Sequence, residues 1–173
     1  MLIRRESAGD ASAITRVHAS AFEVGEGSAK PVEVTLVEEL RRSTAWLPQL
    51  SLVATVGSEV VGHVVCSRAQ VGPKHHPVLG LGPLGVRLDH QKQGLGSALM
   101  HAVLGAADAC DEPLVGLLGE PGYYGRFGFM PAADHGIEAL DVSWGAYFQI
   151  RPLWSYTPDL RGRFTYASPF EGL

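Results

Sequence analysis

Gln91, Gly94 and Gly96 stand where an apolar extended segment turns into a helix. The segment Leu84-Gly85-Val86-Arg87-Leu88 enters a polar loop, Asp89-His90-Gln91-Lys92-Gln93. That loop opens into Gly94-Leu95-Gly96-Ser97-Ala98-Leu99-Met100. The first amides of a helix have no intrahelical acceptor, and the helix dipole adds partial positive charge there. Glycines at the turn keep side chains away, so a phosphate oxygen can approach those amides. A diphosphate is the ligand this arrangement predicts. A dinucleotide turn needs G-x-G-x-x-G, and Leu99 occupies the third glycine's place. A Walker loop needs lysine after its last glycine, and Ser97 follows Gly96.

What is present, Gln91-x-x-Gly94-x-Gly96, resembles the Q/R-x-x-G-x-G/A pyrophosphate loop of the GNAT superfamily of acyl-CoA-dependent N-acetyltransferases. A second stretch is more specific. Tyr124-Gly125-Arg126-Phe127-Gly128-Phe129 matches, position for position, the Tyr-x-x-[LF]-Gly-Phe turn after the fifth strand of that family. With the preceding Gly119-Glu120-Pro121-Gly122-Tyr123 it resembles a bacterial branch carrying G-[DE]-P-x-Y-Y-x-R-F-G-F. The resemblance implies acetyl-CoA as cosubstrate and an amine acceptor, either a small molecule or a protein N-terminus. Pyrophosphate would bind amides from Gln91 through Lys92, Gln93, Gly94, Leu95, Gly96 and Ser97 to Ala98. The pantetheine arm would pair with the backbone of Val86, Arg87 and Leu88, and Phe127 would join the cofactor site.

In acetyl transfer an amine attacks the thioester carbonyl and a thiolate leaves. The ammonium must lose a proton, and the departing sulfur benefits from one. A phenol, with a pKa of about 10, stays protonated at neutral pH and can serve as that donor. Tyr124 holds the family's general-acid position; a tyrosine packed against the cofactor is the alternative. Tyr123 falls where the family is usually aliphatic and reads as packing.

Two departures from the family pattern bear on mechanism. Gly80-Leu81-Gly82-Pro83-Leu84 carries no carboxylate where many members place a glutamate base. Leu117 stands at about the position of a cofactor-bonding asparagine. The base stays open among ordered water with backbone carbonyls, His63, Glu23 and His75. A non-catalytic acyl-CoA sensor is the competing hypothesis, and a nucleotide-binding protein using the same loop is a third.

The elements that must position these groups follow from patterning. Leu2–Arg5 reads as a first strand, and Ser7-Ala8-Gly9-Asp10 as a capping-box helix start. Ile14, Val17, His18, Ala21 and Phe22 form one apolar stripe, with His18 a core or groove-lining residue. Residues 23–30 read as a loop. Pro31 suits a first helical position, and Val34, Val37 and Leu40 continue the helix to about Arg42. Under the resemblance this loop borders the acceptor groove. Glu23, Glu26 and Glu33 are then candidates to attract an amine, or else simply solvated surface.

Leu52–Val56 and Val60–Cys66 around Gly57-Ser58 predict a hairpin, with Ser67–Pro77 a loop. Apolar positions 95, 98, 99, 102, 103, 106 and 110 predict the buried face of the helix after the glycines. Pro113–Leu118 reads as a central strand, Met130–Gly136 as a strand end and loop, and Trp144–Leu153 as a seventh strand. From Trp154 the chain reads as an irregular segment packed on the body, over part of the acceptor groove. The fold class is α/β (α+β): a mixed, mostly antiparallel seven-strand sheet with helices on both faces, in the GNAT order. One domain is expected over 1–173, its motif-bearing core about 1–153 and its irregular segment 154–173.

The chain has 173 residues, 46% of them hydrophobic, which suits one domain with a substantial core. A net charge of −4 and no long basic block argue against nucleic acid as partner. Cys66 and Cys110 read as buried core residues, so no disulfide framework is expected. His75-His76 lacks metal-ligand spacing, and no metal is expected. No leader or membrane-length apolar run is read, so a cytoplasmic setting is expected; a homodimer is left open.

Overall fold

The computed structural model describes residues 1–171. Gly172 and Leu173, the end of the segment expected to be irregular, lie outside the described residues.

Strand β1 (Leu2–Arg5) leads through a 3-10 turn at Ala8–Asp10 into helix α1 (Ala11–Ala21). The Ser7 amide and hydroxyl both donate to the Asp10 carboxylate, and Arg4 grips that carboxylate with two nitrogens at 2.7 and 2.9 Å. The expected helix start is thus pinned back to β1. Helix α2 (Val32–Arg42) follows, with Pro31 as its N-cap, one residue earlier than a first helical position. Strands β2 (Ser51–Val56) and β3 (Glu59–Val71) form the hairpin about Gly57-Ser58. Strand β4 (His76–Val86) returns antiparallel to β3.

After β4 come helix α3 (Leu95–Ala109), strand β5 (Leu114–Leu118) and the short helix α4 (Pro121–Tyr124). Strands β6 (Met130–Pro131), β7 (Ile137–Glu138), β8 (Phe148–Pro152) and β9 (Gly162–Thr165) complete the chain. The main path of the sheet is β1-β2-β3-β4-β5-β8-β6, seven strands. β9 joins it on β3 and carries β7, making nine. Every pairing on the main path is antiparallel except β4 with β5.

The faces of the sheet bury different helices. Val53 and Val60 pack with Ile14, Val17 and Val37 from α1 and α2. Leu52, Ala54, Val64 and Cys66 pack with Leu95, Leu99 and Val103 from α3. At Gly62 a Cβ would stand 2.9 Å from the Leu99 side chain, so glycine lets α3 lie close on β3.

Several expectations are corrected. Ser67–Pro77 is mostly strand: β3 runs to Val71, β4 begins at His76, and the turn is confined to Gly72–His75. The alternation of half-exposed Arg68 and exposed Gln70 with buried Ala69 and Val71 is a period-two signal that the Gly-Pro-His composition masked. Trp144–Leu153 becomes strand only from Phe148. Asp141 caps the Ser143 amide and starts 3-10 turns over Val142–Tyr147. The segment after Trp154 is not wholly irregular, because β9 pairs with β3 and Phe164 is buried.

The buried face of α3 comprises Leu95, Leu99, Met100, Val103, Leu104 and Ala107. Residues 98, 102 and 106 are half-buried flanks, so the face is rotated by about one residue from that expected. Cys110 lies past its last buried turn and is exposed, whereas Cys66 is fully buried. No described helix is long and apolar enough to cross a membrane.

Candidate active site

Strands β4 and β5 pair only at Leu79–Val115 and Gly80–Gly116. Beyond those pairs β4 continues to Val86 while β5 ends at Leu118, so the two parallel strands part. A parting pair leaves an opening through the sheet. On the α3 side it forms a cleft of about 800 Å³, lined by Leu84 and Val86, by residues 90–92 and 94–97, and by Gly119, Glu120, Tyr123, Tyr124 and Arg126.

One wall is the N-terminus of α3. Gly94 caps it with φ +82°, a left-handed conformation that costs other residues energy. The first backbone acceptor inside the helix is the Gly94 carbonyl, taken by the Ala98 amide at 3.0 Å. The amides of Leu95, Gly96 and Ser97 therefore have no intrahelical partner. A Cβ on Gly96 would sit 3.1 Å from the Tyr123 hydroxyl and 3.8 Å from Val86, so a side chain larger than a methyl would crowd the turn where a ligand approaches. The Gln91 side chain donates to the Val86 carbonyl at 3.0 Å and folds the loop back onto β4.

The opposite wall is α4 and the turn after it. Glu120 is its N-cap, with Pro121 at the first helical position. The Gly119 amide donates to the Tyr147 carbonyl, and Gln149 of β8, itself buried, donates to the Gly119 carbonyl. Tyr124 then packs across Gly119, where a Cβ would meet its ring at 2.8 Å or less. Its ring lies edge-on to Tyr123 and Phe129, at 4.9 and 5.9 Å. Burial, with a smaller contribution from Tyr123, pushes the Tyr124 hydroxyl up to about 12. The Arg126 guanidinium covers the Tyr123 ring at 4.0 Å, placing a cation at the cleft mouth.

The residues singled out from sequence fall into two sets. Val86, Gln91, Lys92, Gly94, Leu95, Gly96, Ser97 and Tyr124 line this cleft. Arg87 pairs with Glu59 and Asp89, the Leu88 amide binds the Ser20 hydroxyl, and Gln93 donates to the Asp89 carbonyl, so these three shape the loop from outside. Ala98 sits one turn inside α3. Phe127 is buried against the core. Glu120 and Arg126, for which the sequence suggests no role, also line the cleft, as does Tyr123, expected only to pack. Glu-Pro before a short helix is a legible cap signal, but cation over ring is not readable from spacing alone.

The three side chains considered as bases stand apart from the cleft. His63 is fully buried under α1, between His18 and the Ser51 hydroxyl at 2.8 and 2.9 Å. Glu23 is exposed after α1, and His75 is exposed in the β3–β4 turn. No cluster of metal-binding side chains occurs among the described residues.

A second cleft of about 650 Å³ opens on the α2 side of the same gap. Pro83 and Leu118 line it, while their successors Leu84 and Gly119 line the first. The two clefts therefore lie on opposite faces of the sheet, on either side of the place where β4 and β5 part.

Residues 16–129 match the Acetyltransferase (GNAT) family. Escherichia coli K12 YhbS, described as an uncharacterised N-acetyltransferase, is 32% identical over 154 residues, covering 88% of this chain and 87% of its own. The crystal structure of YhbS in complex with CoA superposes with a TM-score of 0.87 at 29% identity, covering 98% and 91% of the two chains. A GNAT acetyltransferase from Brucella melitensis, in complex with acetyl-CoA, gives 0.78 at 30% identity, covering 98% and 97%. With a strand-parting cleft under a glycine-opened helix terminus and these relatives, the chain belongs to the GNAT family of acetyltransferases.

Proposed function

We propose that the chain forms one acetyltransferase domain that moves an acetyl group from acetyl-CoA to a primary amine by direct attack in a ternary complex. The observation that carries this reading is that two clefts flank the β4–β5 gap from opposite faces of the sheet, one of them walled by the open amides of α3. Pyrophosphate sits on the Leu95, Gly96 and Ser97 amides, with Lys92 and Arg126 supplying positive charge. The pantetheine arm follows β4 past Val86 and Leu84, which brings the thioester to the gap beside Tyr124. The YhbS and Brucella structures, which are complexes with CoA and acetyl-CoA, support a CoA ester as the ligand.

The amine enters from the α2 side. Its nitrogen attacks the carbonyl carbon, the N–C bond forms, and the C–S bond breaks. Tyr124 donates to the departing sulfur and recovers a proton that the nitrogen gives up. Most of the acceleration comes from holding thioester and amine together across the gap. The second proton of the original ammonium leaves to solvent.

Calorimetry with acetyl-CoA on the wild type and on Gly96→Val tests the cofactor half. A valine there collides with the Tyr123 hydroxyl and fills the approach to the amides. The expected loss is roughly tenfold or more in affinity, about 1.4 kcal/mol, with an unchanged circular dichroism spectrum. Equal affinities would remove the α3 terminus from the site.

A further inference from the structure

The α2-side cleft has a composition that selects among amines. Its floor is Leu81, Gly82 and Pro83 of β4 with the end of β5 at Leu118. Its walls are aromatic: Tyr166 and Phe170 from the C-terminal segment, 4.7 Å apart between ring centroids, and Trp144. Leu118 and Leu140 remain 47% and 55% exposed beside them, apolar surface that the fold itself does not cover. Grooves of this size and character hold small organic ligands.

Charge in the cleft has one sign. Glu33 of α2 lines it half-buried, with Glu171 also in the lining, and no lysine or arginine does. Glu38 of the same helix is tied to Lys30 at 2.8 Å, whereas Glu33 meets no cation among the described residues. A partly buried carboxylate without a counter-charge favours a ligand that brings one positive charge. An acceptor carrying its own carboxylate or phosphate would meet only repulsion here. A polycation without a ring would leave the aromatic walls uncovered.

We propose that the acceptor is a small arylalkyl primary amine with one positive charge and no anionic group, its ring against Tyr166, Phe170 and Trp144 and its ammonium drawn in by Glu33. This rests on the acetyl-CoA-dependent reading above. The reaction balances as ammonium plus acetyl-CoA giving the N-acetyl amide, free CoA thiol and one proton.

The test is thiol release from acetyl-CoA by the full chain, with acetyl-CoA affinity measured separately by calorimetry. Acceptors are phenethylamine and tryptamine, their carboxylated parents phenylalanine and tryptophan, spermidine, and a neutral pentapeptide with a free N-terminus. The arylalkyl amines should exceed the parents and spermidine by about tenfold or more in kcat/KM, the equivalent of one 1.4 kcal/mol contact. Glu33→Gln should raise KM for phenethylamine by a similar factor with acetyl-CoA affinity held. Inhibition by 2-phenylethanol, which has the ring without the charge, should be equal in both proteins.

Comparable turnover of phenylalanine or spermidine, preference for the peptide, or an unmoved KM in Glu33→Gln would overturn the acceptor class. Intact acetyl-CoA binding with no arylalkyl amine turned over would overturn it equally, while leaving the cofactor reading standing. Absent acetyl-CoA binding would remove that reading, and this inference with it.

Discussion

Tyr124 is held by what it packs on more than by any hydrogen bond. Its ring lies across Gly119 and edge-on to Phe129, and burial raises its hydroxyl to about 12. A phenol that weak stays protonated throughout the neutral range, so its proton is in place when the thiolate departs. Tyr124→Phe keeps the ring and removes the donor. Turnover should fall by about 100-fold, the lower end for a general acid, while acetyl-CoA affinity stays within about twofold. Tyr123→Phe is the comparison, because that ring supports Arg126 and the helix terminus. If Tyr124→Phe keeps half of wild-type turnover with chemistry rate-limiting, positioning alone carries the reaction. The loop Gln91–Ser97 and Tyr124 were legible because glycine spacing and a six-residue motif are local. Glu33 was legible only as one of three acidic residues. What separates it from Glu23 and Glu26 is the fold of a distant C-terminal segment, which no local pattern reports.

At the scale of elements, the gap between β4 and β5 depends on what lies beneath their last pairing. Gly80 takes the Tyr166 ring and Gly116 takes the Phe164 ring, each with a would-be Cβ closer than 3 Å. Those rings come from β9 and the residue after it, so the C-terminal segment braces the sheet where it begins to open. Gly116→Val would drive two methyls into Phe164, which is 1% exposed and flanked by Phe148 and Tyr166. Overpacking of this kind costs about 1–3 kcal/mol, a fall of roughly 2–12 °C in Tm for a chain of this length. A melt unchanged within about 1 °C would mean that Phe164 moves freely and braces nothing. Short strands explain what was hidden here. β9 has four residues and pairs with β3 at two positions, and Arg161-Gly162-Arg163 gives no alternation to recognise. The hairpin β2–β3 announced itself through two β-branched runs about Gly57-Ser58, and helix α3 through apolar residues at helical spacing over fifteen residues.

Across the whole molecule, a largely buried polar chain ties the residue after β1 to β2, β3, α1 and α2. Arg41 and the Ser51 hydroxyl donate to Glu6; His63 faces Ser51 and Glu6 with Nε2 and His18 with Nδ1. His18 Nδ1 is buried against Gly85 and has no partner. The consistent proton arrangement is His18 Nε2–H to His63 Nδ1, then His63 Nε2–H toward the Ser51 oxygen and the Glu6 carboxylate. Both histidines are then neutral. Burial, reinforced by His63 and Arg41, holds His18 down at about 2; burial also lowers His63 against the opposing pull of Glu6. Hydrogen bonds from His63, Arg41 and Ser51 overcome burial and bring Glu6 to about 2. All three folded-state values lie below the unfolded ones, so the unfolded chain binds more protons as the pH falls. The stabilisation is complete above pH ~6.5, the unfolded histidine value, and is lost progressively below it, with Glu6 adding its share below ~4.5. Each histidine contributes a slope of about 1.4 kcal/mol per pH unit once the unfolded state is protonated. Urea midpoints measured from pH 8 to 5 should be flat to about 7 and then drop. His18→Gln should lower stability at pH 8, because the replacement leaves a buried amide poorly satisfied, yet flatten the acid limb by about one histidine's slope. A wild-type midpoint that stays level down to pH 5 would mean that these histidines are protonated in the folded protein, and the neutral chain of donors ending on Glu6 would be wrong.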